Sequence, residues 1–402
     1  MMTMGSEITI RSATAADAEQ IWRLGATSFT WRSDQAYKDR AALLFPPEDA
    51  IVAVDGDRVV GHSKARTMTM TVPGERTVEA TGIAGVAVAP NYRRRGILRA
   101  MYTEQHRRTE DAGLPLTIFT ASQGSIYGRF GYGPTVRENR VTIDRRFAEF
   151  LPTTPDPGGV ELADLADTHE QIKAVYDRWR RLTPGVQARP DASWEIRFSD
   201  PESWRGGGTD LFVLLHQDGF ALYRYHHRDT GTDVEIVEMR TVTTEAHVAI
   251  WRALFGLELV ERIETVLTEH DPLPYLLTDL RLVKTAARYD ALWLRLMDVP
   301  AALTARAYRA DLDVVLAVHD PFRDAGGTFA LTVRDGHAEC APTTRAADFE
   351  LGIDVLGSMY LGAYPARVFA AANRLQVKDS GKLHSLELAF SAERDAELGW
   401  HF

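Results

Sequence analysis

The chain has 402 residues, 46 basic against 56 acidic side chains, a net charge of -10 and one cysteine, Cys340. That length predicts two or three globular domains, the acidic balance argues against nucleic acid as a partner, and the lone cysteine excludes an intrachain disulfide framework and fits the reducing cytoplasm. No apolar run reaches the ~18 residues of a membrane span, and residues 1–7 lack the basic segment and apolar core of a secretion signal, which leaves export without a recognisable signal open.

Ile8 to Arg11 alternates as a strand, and Thr14 with Asp17 predicts a capped helix carrying Ile21, Trp22 and Leu24 towards Phe29. Ile51 to Val54, the turn Asp55-Gly56-Asp57-Arg58 and Val59-Val60 predict a hairpin whose second strand runs to Val72, before a turn at Pro73-Gly74. The following strand ends in Val86-Ala87-Val88, breaks at Pro90-Asn91, passes through Arg93-Arg94-Arg95-Gly96 and enters a helix with Leu98, Met101, Tyr102 and Gln105 at helical spacing. That helix closes near Ala112-Gly113. Pro115 to Thr120 is a short strand, and the glycine-rich stretch from Ala121 to Pro134 holds a short helix that carries Tyr127.

A strand, a short basic loop and a helix N-terminus together suit a pyrophosphate. The first helical N–H groups have no partner inside the helix and carry partial positive charge. Gly96 lets a ligand approach the main chain, and the arginines add full charges. An ordinary connection with a solvated basic face is the alternative. The pattern Arg93-x-x-Gly96-x-Leu98 resembles the coenzyme A signature of GNAT N-acetyltransferases, departing at Leu98, where that signature has a small residue. The order of strands, helices and basic loop resembles theirs too. The resemblance implies that the main chain of Val86, Ala87 and Val88 pairs with the pantetheine arm, and that Arg94, Arg95, Gly96, Ile97, Leu98 and Arg99 hold the pyrophosphate. It also implies that Ser122 and Gln123 lie across the cofactor cleft and that Tyr127 is the general acid beside the coenzyme sulfur. Taken alone, Tyr127 reads as a half-buried aromatic under a glycine loop.

Pro152 to Gly159 reads as a linker. A helix with Ile172, Val175, Tyr176 and Trp179 on one face follows, then a hairpin from Phe212 to Tyr225 turning at Gln217-Asp218-Gly219. Next come a strand from Asp233 to Val242, a helix with Val248, Trp251, Leu254 and Phe255, and a strand from Ile263 to Leu267 that Pro272 and Pro274 break off. The order repeats that of the first region. Where the first copy has its basic loop, this one has Thr243-Thr244-Glu245-Ala246-His247, with an acid facing any phosphate, which predicts a degenerate unit without a coenzyme site.

Leu292 to Leu296 reads as a strand opening the last region, Pro300 to Tyr308 as a helix, and Val314–Val318, Thr328–Val333 and His337–Ala341 as a curved antiparallel sheet. Helical patterns follow at Val355–Leu361, Arg367–Asn373 and Ser380–Phe390, an order that resembles a sterol-carrier-like domain and keeps a lipid or sterol carrier as the competing function. There is no Gly-x-Ser-x-Gly elbow and no His/Cys ligand spacing, so neither a serine nucleophile nor a metal is expected.

The runs Arg93 to Met101, Ile126 to Pro134, Asp271 to Pro274 and Ala370 to Leu375 together resemble the enhanced intracellular survival (Eis) acetyltransferases of mycobacteria and other actinobacteria, over essentially the whole chain. This resemblance implies an α/β (α+β) architecture: a catalytic GNAT domain at 1–148, a degenerate GNAT-like domain at 149–290 and a sterol-carrier-like domain at 291–402. It implies acetyl-CoA as co-substrate, no metal, and direct transfer to aminoglycosides and other polyamines, often at more than one amine, and in places to protein lysines. It further implies a homohexamer. Leu398-Gly399-Trp400-His401-Phe402 is too apolar for a frayed tail, and in these relatives the carboxylate of a terminal Phe, matched by Phe402, is the base. A packed tail that merely closes the last domain is the alternative. Some relatives carry an acid where His401 stands. A wide, acidic pocket is expected, with Phe29 as a candidate wall residue.

Overall fold

The computed structural model describes residues 8–29, 35–46, 49–229 and 231–402; residues 1–7, read above as lacking a secretion signal, lie outside them. Strand β1 (Thr9–Ser12) leads through a 3-10 turn into helix α1 (Ala18–Phe29). Asp17 accepts from the Thr14 amide at 2.8 Å and from the Arg11 guanidinium at 2.7 Å, so the capping pattern sets this corner. Helix α2 (Gln35–Leu44) follows, then the hairpin of β2 (Ile51–Asp55) and β3 (Arg58–Val72), and β4 (Arg76–Val88). Helix α3 (Ile97–Asp111), the fully buried strand β5 (Leu116–Phe119), the single turn α4 (Gly124–Tyr127) and strand β6 (Gly133–Asp144) complete the first region.

The second region runs through β7 (Glu161–Ala163), α5 (Leu165–Leu182), α6 (Asp191–Ser199), β8 (Phe212–His216), β9 (Gly219–Arg228) and β10 (Gly231–Thr241). It continues with α7 (Thr244–Phe255), β11 (Val260–Leu267), α8 (Leu273–Leu276) and β12 (Val283–Leu296). The third holds α9 (Val299–Ala305), β13 (Leu312–His319), β14 (Gly327–Arg334), β15 (His337–Pro342) and β16 (Phe349–Gly352). It closes with α10 (Ile353–Met359), α11 (Ala366–Ala371), β17 (Leu375–Val377) and α12 (Leu383–Phe390).

Twelve strands form one sheet in the order β1-β2-β3-β4-β5-β12-β6-β11-β10-β9-β8-β7. The first two regions exchange strands to make it. β6 crosses over to pair with β11, as Ile143 opposite Ile263, while β12 returns to pair with β5, as Trp293 opposite Phe119. The strand expected at Leu292–Leu296 is therefore the end of β12 and belongs to this large sheet, not to the last region's own. That second sheet, β15-β14-β13-β16-β17, is mixed and not purely antiparallel, because β16 runs parallel to β13. Pro272 and Pro274 do not simply break a pattern; they open the turn α8, where a proline's missing N–H costs nothing.

One apolar core runs through all three regions, from Met70 and Ile118 through Trp179 and Leu222 to Leu316 and Phe390. The seam to the last sheet is tight at Gly133, where a Cβ would overlap the carbonyl oxygen of Asp354. Beside it the buried Arg295 guanidinium donates to Phe130 O at 2.8 Å and pairs with Asp320.

Candidate active site

β4 is bonded to β3 along its length, from Val72 opposite Arg76 to Gly61 opposite Val88. On its other side it meets β5 only at Ala80 to Gly82, opposite Leu116 to Ile118. From Ile83 onward the two parallel strands part, leaving the main-chain edge of β4 free to bond an extended ligand as an added strand would. Ile83 to Val86 form one wall of the resulting wedge and Phe119 to Ser122 the other. The outer strand residues Ala87 and Val88 continue past the wedge towards the basic loop.

In that loop Arg94 takes a left-handed φ of 64° and Gly96 one of 79°, so the chain turns sharply onto α3. Gly96 has no atom within 4 Å of where a Cβ would stand, which leaves open space in front of the helix. Between Tyr92 and Ala100, whose amides reach Ala89 O and Gly96 O, the N–H groups find no main-chain acceptor among the described residues. Arg93, Arg94, Arg95 and Arg99 are exposed, Leu98 is half-buried and Ile97 is buried under the turn. Tyr92 anchors the loop by donating to Asp55 at 2.6 Å, and Arg95 stacks 4.8 Å above its ring. Arg99 lies 4.9 Å from the ring of Phe322, so the last region also reaches this corner. Free amides, a helix N-terminus and four cations fit a pyrophosphate.

Tyr127 ends α4 at the mouth of the wedge, buried among rings: Phe119 at 4.4 Å, Tyr102 at 6.1 Å and Trp293 at 6.3 Å between centroids. Burial pushes its phenol above the ordinary range, an effect that a hydrogen bond with the Ser122 side chain partly offsets. The proton is thus held firmly. Gln123 begins α4, exposed and off the cavity.

A cavity of about 720 Å³ opens from the wedge and brings Tyr127, Ser122, Phe29 and Phe402 together, residues far apart in the chain. The tail reaches it without regular secondary structure. Ala396, Leu398 and Trp400 are buried, the Trp400 indole donates to Ala188 O at 3.3 Å, and Arg240 grips the carbonyls of Leu398 and Gly399 at 3.2 and 3.3 Å. Arg240 also meets Glu397 at 3.2 Å, whose carboxyl burial pushes up to about 7. Phe402 is half-buried, and the Thr120 hydroxyl donates to its main-chain oxygen at 3.3 Å. His401 borders the cavity.

The pocket is wide, as expected, but it is not acidic. Glu138 and Asp290 are its acidic side chains, against Lys64, Arg140, Arg189 and Arg197. Arg189 and Arg197 share the one carboxylate of Glu238 behind the wall, at 3.0 and 3.4 Å, and Asp290 accepts from the Trp293 indole. Burial raises the Glu138 carboxyl. Lys64, Glu138, Arg140 and Asp290 sit on strands and Arg197 on a helix, where a charge normally marks a solvent-facing position, and Arg189 lies in the link between α5 and α6, so none carries a local signature of the pocket. Aromatic surface comes from Trp22, Trp204, Tyr289 and Trp400.

The second region repeats the parting of strands: β10 meets β11 only from Thr232 to Glu235. No basic loop follows. Thr243 caps α7 itself, its hydroxyl accepting from the Ala246 amide at 3.2 Å, with Glu245 in the first turn. The tail from Glu397 to His401 packs at the parted strand ends, so the chain's own peptide takes the space there.

An acetyltransferase (GNAT) domain model matches residues 9–135, another matches 185–297, and a sterol carrier protein domain model matches 299–396. The chain is 43% identical to the N-acetyltransferase Eis of Mycobacterium tuberculosis and of Mycobacterium bovis, over 98% of its own length and 100% of theirs. It belongs to the Eis family of GNAT N-acetyltransferases. The crystal structure of Eis1 from Mycobacterium abscessus superposes on this Eis-family chain with a TM-score of 0.88 at 28% identity, covering 98% of this chain and 100% of that one. An uncharacterised N-acetyltransferase of Streptomyces avermitilis is 34% identical over 84% of this chain and 85% of its own. The Eis assignment makes the chain an N-acetyltransferase, and its GNAT fold implies an acyl-CoA donor and an amine acceptor. Among the described residues no group of His, Cys, Asp and Glu could hold a metal ion, and no helix is long and apolar enough to cross a membrane.

Proposed function

We propose that this Eis-family chain transfers the acetyl group of acetyl-CoA directly to amines of aminoglycoside-like polycationic molecules, at more than one position. The observation that carries the reading is the single cavity shared by the β4–β5 wedge, Tyr127 and Phe402. Val86, Ala87 and Val88 bind the pantetheine arm by their main chain, and Arg94, Arg95, Gly96, Ile97, Leu98 and Arg99 hold the pyrophosphate. Acetyl-CoA supplies an activated acyl group as its thioester. Tyr127, kept protonated by burial, donates to the departing thiolate, whose ordinary pKa of about 8.5 lies below that of the phenol and leaves the transfer uphill, so the hydrogen bond matters more than full protonation. The α-carboxylate of Phe402, oriented by Thr120, takes the proton of the incoming ammonium or holds it in place. Aromatic walls and a wide opening favour a bulky acceptor that can enter in several orientations.

A covalent route through Cys340 has no support: the thiol lies on β15 in the last region, and burial pushes it up to about 12. The matched sterol carrier domain favours a second reading, lipid carriage. The family resemblance also carries a homohexamer, which sedimentation would measure.

The test is a mass spectrum of kanamycin after incubation with the protein and acetyl-CoA, with melting curves in acetyl-CoA and in sterol or acyl chains. Singly and multiply acetylated product, with stabilisation by acetyl-CoA, is the expected result. Unmodified kanamycin with stabilisation by lipid would establish the carrier.

A further inference from the structure

Lys64 differs from the chain's paired lysines. Lys173, Lys378 and Lys382 each face a carboxylate, Glu170 at 3.0 Å, Glu350 at 3.5 Å and Asp348 at 2.9 Å. Lys64 has no such partner among the described residues, and burial alone pulls its amine below the ordinary lysine range. Its place in the fold is specific. It follows the register shift between His62 and Lys64 in β3 and lies opposite Ala84, next to where β4 leaves β5. Its Cγ and Cδ pass over Gly85, within 3.9 and 3.7 Å of where a Cβ would stand there, so a larger residue at 85 would lie against its stem. The side chain borders the same cavity as Val86 and Tyr127. Desolvation without a counter-ion favours the free base of a lysine amine, the form that attacks an acyl carbon.

We propose that Lys64 is a site of self-acetylation, taking an acetyl group from acetyl-CoA bound in the β4–β5 wedge. The proposal rests on the acetyl-CoA reading given above. The lone pair of Lys64 Nζ forms the new C–N bond to the acetyl carbon and the thioester C–S bond breaks. The sulfur leaves with that electron pair and is protonated from Tyr127, and the amide nitrogen loses its proton to water. The product is an acetyl-lysine that removes one positive charge from the wall a cationic acceptor must lie against.

The full-length protein, incubated with acetyl-CoA alone and then digested, gives the answer by peptide mass spectrometry. Lys284, exposed on β12, serves as the internal measure of simple chemical acetylation. The expected result is acetylation of Lys64 at least about tenfold faster than of Lys284, slowed in Tyr127→Phe by the same factor as acceptor turnover. Equal rates at the two lysines, or a Lys64 rate unaffected by Tyr127→Phe while acceptor turnover falls, overturn the proposal. An unmodified Lys64 beside acetylated kanamycin overturns it too and leaves the acetyl-CoA reading standing. If neither is acetylated, both fall.

Discussion

Replacing Tyr127 by Phe removes one oxygen from a ring held on several sides. Phe119, Tyr102 and Trp293 pack around it, and the ring is 6% exposed, so the aromatic cluster keeps its shape without the hydroxyl. The interaction with the Ser122 side chain is lost, a surface-side contact whose removal shifts Tm by a few degrees at most. The chemical loss is far larger if the phenol protonates the thiolate. A general acid contributes about 100- to 10,000-fold, equivalent to roughly 3–5 kcal/mol of barrier. Thiol release is followed with a disulfide reagent over a range of acetyl-CoA and acceptor concentrations, beside a melting curve of each protein. The expected result is a kcat lowered within that range, a KM for acetyl-CoA changed less than about threefold, and a Tm within a few degrees. A kcat within a factor of about three of the parent would refute the role of Tyr127 as the acid.

Arg94→Ala should raise the KM for acetyl-CoA and lower kcat/KM about ten- to a hundredfold, the loss of one charge-assisted contact; an unchanged KM in the folded variant removes Arg94 from the pyrophosphate site. His62→Met should raise Tm, because both ring nitrogens of the buried His62 lack partners and an apolar side chain of similar size carries no such cost. Burial pulls the His62 ring down to about 3 from 6.5, so the unfolded chain binds the extra proton between those values and stability falls as pH drops through that window. The variant should therefore lose less Tm than the parent between pH 6.5 and 4, and equal acid sensitivity in both would show that His62 does not contribute.

The basic loop was readable because its signals are local: an apolar strand, Pro90, three arginines, Gly96 and a helical period follow one another within a few residues. Thr14 with Asp17 was readable for the same reason. The exchange of strands was not. β6 begins Gly133-Pro134, which reads as a loop, and its partners Leu294 and Ile263 are more than a hundred residues away. Helices α2 and α6 and the short strands β16 and β17 were missed as well, being brief elements that acquire their meaning from what they pack on. In the site, Tyr127 and Phe402 could be named from resemblance, but their sharing one cavity depends on folding of all three regions. Lys64, Glu138 and Arg140 sit on strands, where a charge ordinarily marks the solvent side, so their inward placement had no local signature.

The proposed acetyl transfer takes place in the cavity that Tyr127 shares with Phe402, and its sharpest test moves the α-carboxylate of Phe402 alone. Deleting Phe402 shifts it by about 3.3–3.6 Å, while Leu398, Trp400 and the Arg240 contacts continue to hold the tail. An added C-terminal residue displaces it the other way. Turnover with kanamycin and the acetyl-CoA dissociation constant are measured on both proteins and on the parent. The expected result is a kcat at least about a hundredfold lower in each, with acetyl-CoA binding unchanged. Full turnover in both would contradict it and leave the tail as packing only.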